Sequence, residues 1–225
     1  MQVVVAPSVD AACAAAADDI ASHLREAVTA RGAASLALSG GTTPVAMIRM
    51  LADCDLDWSR VELFQVDERV VPIDDPARNW SLLRPLVTRG PPPRLHPMPV
   101  EADDGDVRYG RVLADVVGRA GVLDVVHLGL GADGHTASLV PGDQVVEVSD
   151  RDVAWVGEYR GHRRLTLTAP VLRAAAHQVW LVAGADKSAA LGELLDGGSE
   201  APAGRVVDGD AAVFADAAAA AGVAT

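Results

Sequence analysis

The sequence predicts an α/β fold, a three-layer Rossmann-like sandwich on a mostly parallel sheet. Three observations predict it. Short, near-continuous apolar runs recur along the chain, each followed by a segment with helical spacing, as expected of strands buried on both faces. Glycine-rich or charged motifs stand directly after several of these runs, and in open parallel sheets ligands collect beyond the carboxyl ends of the strands. Half of the residues are hydrophobic, 22% are charged and only 4% are aromatic, a globular balance with a core of small and branched side chains.

The opening VVVA reads as a buried strand. Ser8 or Asp10 is placed to cap the Ala-rich helix that follows, and Gly32 to end it. SLALSG is a second strand, followed by the turn GGTTP and a short helix over VAMIRMLAD. VELFQVDE reads as one strand, residues 78–87 as helical, and Asp104 to Ala120 as a further helix. LDVVHLGLG, RRLTLT, QVWLVAG and AAVFAD are strands, with a helix over ADKSAALGELLDGG between the last two. Pro91 to Pro93 mark an exposed turn. With no internal repeat, residues 1–225 are expected to form a single domain.

Composition narrows the function. The start, MQVVVAPSVD, lacks a basic segment leading into an apolar core, and the longest apolar runs are too short to span a bilayer, so a soluble, cytoplasmic protein without membrane contact is expected. Cys13 and Cys54 stand in no metal or redox spacing and are expected to be free thiols. A formal charge of -12 repels a phosphate polymer, so no nucleic-acid partner is expected. A small anion requires a local patch of cations and backbone N–H groups. No heptad or long apolar stripe advertises a partner chain, and a monomer is expected.

Five segments supply candidates for such a patch. Ser39-Gly40-Gly41-Thr42-Thr43-Pro44 follows a strand and opens a helix, so its glycines admit close approach and its hydroxyls and free N–H groups suit an anion; by itself it is also an ordinary strand-to-helix turn. Asp67-Glu68-Arg69 directly follows another strand, where a solvated loop is the plain alternative. GLGADGHTAS, from Gly129 to Ser138, satisfies the spacing of a dinucleotide fingerprint. Pro141-Gly142 arrives too soon for its crossover helix, however, and no acidic residue closes a following strand. What remains is Asp133 and His135 on a glycine-flanked loop, with a histidine able to take a proton from water. Arg163 and Arg164 open a strand, and Lys187 begins a helix; each is otherwise a surface cation. The remaining histidines, His23, His96, His127, His162 and His177, show no zinc spacing, and no metal or organic cofactor is expected.

Taken in order, LSGGTTP, VDERVVPIDDPARNW, GLGADGHTASLVPG, RRLTLT and AGADKSAAL resemble the 6-phosphogluconolactonase family over nearly the whole chain. The resemblance implies a Rossmann-like fold shared with glucosamine-6-phosphate deaminases. It also implies hydrolysis of a sugar-phosphate substrate, 6-phospho-D-glucono-1,5-lactone, in the second step of the oxidative pentose phosphate pathway. By the same resemblance His135 is the catalytic base with Asp133 beside it. Ser39, Gly40, Gly41 and Thr42 match the phosphate loop, Arg164 and Lys187 match cations near the phosphate, and Arg69 faces substrate. Asp67 matches an aspartate that the deaminases use for proton transfer. The deaminases also carry a glutamate five residues after the histidine; here that position is Val140, which favours the lactonase. Arg78 departs from the family, which has a small residue there, and this bears on the shape of the adjacent loop. A non-catalytic sugar-phosphate sensor is the rival from another class, and it has no need of Asp133 and His135.

Overall fold

The computed structural model describes residues 1–88, 90–118, 122–198, 200–208 and 210–223. In chain order the elements are β1 (Gln2–Ala6), α1 (Val9–Arg31), β2 (Ala34–Leu38), α2 (Pro44–Ala52), β3 (Val61–Gln65), β4 (Asp67–Arg69), α3 (Arg84–Thr88), β5 (Arg94–His96) and α4 (Gly105–Val117). They continue with β6 (Val125–Gly129), β7 (Val153–Tyr159), β8 (His162–Leu167), α5 (Ala169–Arg173), β9 (His177–Val182), α6 (Ser188–Leu195), α7 (Pro202–Val206) and β10 (Ala211–Asp216). The expected end of the helix at residues 119–120 lies outside the described residues.

Seven strands form one sheet in the order β1-β10-β9-β6-β2-β3-β5, with every pairing parallel. Alternate residues of each strand pack on opposite faces. In β9, Val179 and Leu181 join the layer under α1 and α2, whereas Trp180 and Val182 join the layer that includes Tyr109 and Leu113 of α4. This explains why the inner strands read as unbroken apolar runs, and it is the predicted three-layer α/β sandwich.

Helix α1 shows why the core is Ala-rich. Ala12, Ala16, Ala17 and Ala21 are buried beside Ile20 and Leu24, so small side chains let a 23-residue helix lie close across the sheet. Ser8 caps it by accepting a hydrogen bond from the Ala11 N–H at 3.2 Å. Gly32 ends it in the left-handed conformation, φ 79°, where only glycine is free of Cβ strain.

VVVA is a strand but not a buried one: β1 lies at an edge of the sheet, with Val3 and Val5 exposed. Two further expectations are corrected. VELFQVDE is not one strand: after Gln65 the chain leaves the large sheet, and β4 pairs antiparallel with β8 in a separate three-stranded sheet, β4-β8-β7. Polar residues of β4 are thereby turned from a sheet edge toward a buried interior. The second correction is β7 itself, which sequence spacing had not marked. Its hairpin to β8 turns at Arg160 (φ 51°) and Gly161 (φ 81°), between the paired residues Tyr159 and His162. Positive φ at both central residues is the tight turn that fits the twist of a hairpin. Among the described residues no helix is long and apolar enough to cross a membrane. Cys13 and Cys54 are free.

Candidate active site

The carboxyl ends of β2, β3, β6 and β9 open onto a cavity of about 250 Å³. Nine of the ten expected site residues line it: Ser39, Gly40, Gly41, Thr42, Asp67, Arg69, His135, Arg164 and Lys187. The tenth, Asp133, touches it through His135. Asn79 and Arg160 also line it, and neither was among the expected residues.

The glycine turn is shaped by its neighbours. Gly41 has φ 121°, and a Cβ on Gly40 would stand 2.0 Å from Asn79 Oδ1. Helix α2 begins with no side-chain cap, but Pro44 has no N–H and the Val45 N–H reaches the Thr42 carbonyl at 3.4 Å. An anion here therefore meets the backbone of the glycine turn rather than the helix's own first N–H groups. Ser39 differs from expectation: its hydroxyl donates to the His127 carbonyl at 2.9 Å, tying β2 to β6, so its O–H is engaged within the fold. His127 lies below the cavity, fully buried, and burial pulls its pKa down to about 3; it is a neutral imidazole.

The loop after β6 places Asp133 and His135. Gly134 (φ 77°) and Ala137 (φ 53°) take left-handed backbone, which folds the loop back so that the Gly131 N–H donates to the His135 carbonyl at 2.8 Å. A Cβ on Gly131 would fall 2.0 Å from His135 Nδ1, so the glycine makes room for the ring. Asp133 Oδ1 lies 2.5 Å from His135 Nδ1, and the Tyr159 hydroxyl donates to Asp133 Oδ2 at 2.7 Å. Burial pushes the Asp133 carboxyl up, but the hydrogen bonds from Tyr159 and His135 outweigh it and hold the group well below the ordinary carboxylate range. An ionised Asp133 keeps the imidazole proton on Nδ1, which leaves the Nε2 lone pair available. The Tyr159 ring also meets the His135 ring edge-on at 5.4 Å.

Opposite this pair, Asp67 is buried. Its Oδ2 accepts from the Ser138 hydroxyl at 2.5 Å and lies 3.8 Å from Arg164 Nη1. Arg164 is buried too, with its guanidinium over the Tyr159 ring at 5.2 Å. Arg69 donates from Nη1 to the Ala77 carbonyl at 2.9 Å. Lys187 sits in the turn before α6, its Nζ 3.2 Å from Asp186.

Glu68 and Arg78 explain the departure at position 78. The fully buried Glu68 carboxylate accepts from Gln65 Nε2 and from the backbone N–H groups of Arg69, Asn79 and Trp80, all within 2.8 Å. Burial pushes its pKa up against the pull of these bonds. Arg78, 2% exposed, lies with Nε 3.2 Å from Glu68 and bridges outward to Glu101 at 2.9 Å. The larger side chain is thus an internal counter-ion that fixes the loop carrying Asn79. Val140, at the position of the deaminase glutamate, is buried in the apolar core.

The family described as glucosamine-6-phosphate isomerases/6-phosphogluconolactonase matches residues 7–215. A 6-phosphogluconolactonase of Synechocystis sp. is 38% identical over 185 residues, covering 78% of this chain and 77% of the relative. One of Rhizobium meliloti is 36% identical over 195 residues, covering 83% and 84%. The solved 6-phosphogluconolactonase of Trypanosoma brucei superposes with a TM-score of 0.87 at 27% identity, over 99% of this chain and 98% of that one. The chain belongs to the glucosamine-6-phosphate isomerase/6-phosphogluconolactonase family.

Proposed function

We propose that this member of the family hydrolyses 6-phospho-D-glucono-1,5-lactone to 6-phosphogluconate, the second step of the oxidative pentose phosphate pathway, with His135 as the general base on water. The observation that carries the reading is the meeting in one cavity of an oriented imidazole, a glycine turn at a helix start, and the side chains of Arg69, Arg160, Arg164 and Lys187. These cations supply the local positive field that an anionic substrate needs in a chain of formal charge -12.

In this reading the Ser39–Thr42 backbone, Lys187 and Arg164 hold the phosphate, and Arg69 faces the sugar ring. Water attacks the lactone carbonyl carbon while His135 Nε2 takes its proton. The tetrahedral oxyanion then collapses, the bond to the ring oxygen breaks, and the imidazolium returns the proton to that oxygen. Asp133 stabilises the transient imidazolium, and Tyr159 positions Asp133. Asp67, with its oxygens already engaged by Ser138, Asn79 and Arg164, orients the cation beside it. No covalent intermediate is required.

The experiment compares phosphorylated and unphosphorylated gluconolactone side by side, with spontaneous hydrolysis subtracted. Rapid turnover of the phosphorylated lactone alone is expected, with Lys187→Ala raising KM. Ammonia release from glucosamine 6-phosphate, or binding without turnover, would reject the proposal in favour of a deaminase or a sensor.

A further inference from the structure

A second group of histidines meets at the opposite, amino-terminal ends of the strands. Asp19 and His23 stand one helical turn apart on α1 and share a face. His177 opens β9, and Asp210 directly precedes β10. Asp19 Oδ2 lies 2.7 Å from His177 Nε2 and 3.8 Å from His23 Nδ1. On the other side, Asp210 Oδ2 lies 3.1 Å from His177 Nδ1 and 4.0 Å from His23 Nε2. The two imidazoles are stacked, 3.6 Å between centroids and 10° from parallel. Among the described residues no lysine or arginine pairs with either carboxylate.

We propose that Asp19, His23 and His177 bind one divalent transition ion of the zinc class, with Asp210 as an outer carboxylate on His177. Three features point there. One carboxylate oxygen and one nitrogen from each ring lie within 4.8 Å of one another, whereas ligands of a tetrahedral zinc stand roughly 3.3 Å apart, so closure is a matter of about 1.5 Å at most. Two imidazoles with one carboxylate suit Zn²⁺, Co²⁺ or Ni²⁺, not the all-oxygen cages of Ca²⁺ or Mg²⁺. Lastly, Asp210 Oδ2 stands 3.1 Å behind His177 Nδ1 without hydrogen-bond geometry; a small turn of this exposed side chain completes the carboxylate–histidine–metal arrangement, with Nε2 turned to the ion.

Parallel rings cannot both point at one ion, because a metal lies in the plane of each imidazole it binds. The His177 side chain is 5% exposed and fixed, whereas that of His23 is 30% exposed. His23 therefore turns about its side-chain bonds as the ion enters, losing its 3.0 Å contact to the Asp19 carbonyl, and water completes the fourth position. The bound ion clamps α1 to the start of β9, far from the sugar-phosphate cavity.

The test titrates metal-free protein with Zn²⁺ by calorimetry and thermal unfolding, and with Co²⁺ by visible absorption. One ion per chain, a raised Tm and a tetrahedral Co²⁺ spectrum are expected. Asp210→Asn should weaken binding about 10–100-fold, and Asp19→Asn or His23→Ala by more, while His135→Ala leaves it intact. Both helix variants change partly exposed side chains, and their metal-free unfolding midpoints report whether the fold survives. No saturable binding, or undiminished affinity in both Asp19→Asn and His23→Ala, overturns the proposal; so does binding that disappears with His135→Ala alone.

Discussion

At the carboxyl ends of the strands Asp133 holds His135 at 2.5 Å, and at the amino ends Asp19 holds His177 at 2.7 Å. The two pairs share their chemistry and differ in company. Around His135 stand Arg69, Arg160, Arg164 and Lys187, and the ring nitrogen away from Asp133 has no hydrogen-bond partner among the described residues. Around His177 stand a second imidazole and a second carboxylate, so each of its nitrogens faces an acid. One setting suits an anion and a proton in transit; the other suits a cation that stays. A histidine–aspartate pair is therefore not a function in itself, because the charges beyond it decide what it serves.

The comparison is broken most directly at His135. His135→Asn should lower kcat about 10²–10⁴-fold with little change in KM. Turnover within a few-fold of the parent would remove the contrast between the two ends.

A third ionic pair, Glu68 with Arg78, is buried behind the loop that carries Asn79 and meets neither substrate nor ion directly. Arg78→Met leaves the Glu68 carboxylate buried without its counter-ion, and losing one partner of such a pair costs about 3–5 kcal/mol. Urea unfolding should show this loss at neutral pH. An unchanged midpoint would mean that the hydrogen bonds to Glu68 suffice.

Tyr159→Phe sharpens the comparison with the smallest effect. It removes one hydrogen bond to a charged group, worth about 1.5–3 kcal/mol, and kcat should fall roughly tenfold. Tyr159 helps to depress the Asp133 pKa, so in the variant that pKa rises toward its ordinary value. Linkage fixes the sign of the effect on stability. A depressed folded pKa contributes stability above the unfolded value, about 3.9, and that stability is lost as pH falls through the folded value. The stability gap between variant and parent should therefore be widest near neutrality and close in acid. A gap that fails to narrow in acid would assign Tyr159 to packing alone.

Six strands of the large sheet were legible as apolar runs, and the position of the cavity followed from the motifs at their ends; the edge strand β5, with the sequence RLH and largely exposed, left no such run. The small antiparallel sheet was not legible in the same way. VELFQVDE contains no glycine or proline to mark where β3 gives way to β4, and Val66 is as apolar as the strand before it. For β7 a signal existed: Arg160-Gly161 between two runs of strand-forming residues is a hairpin turn, and reading it as one brings Tyr159 and Arg160 toward the loop of His135. Asn79 was hidden because its place depends on Glu68 and Arg78, residues whose burial no linear spacing announces. His23 and His177 likewise meet only in three dimensions, across 154 positions of chain.

The contact between residues 40 and 79 has an engineering consequence. Because the amide of Asn79 occupies the space a side chain at position 40 would need, the turn after β2 and the loop after β4 form a matched set. Transplanting either one into a related scaffold would bring a collision or a hole, whereas moving the two together would carry this wall of the cavity intact.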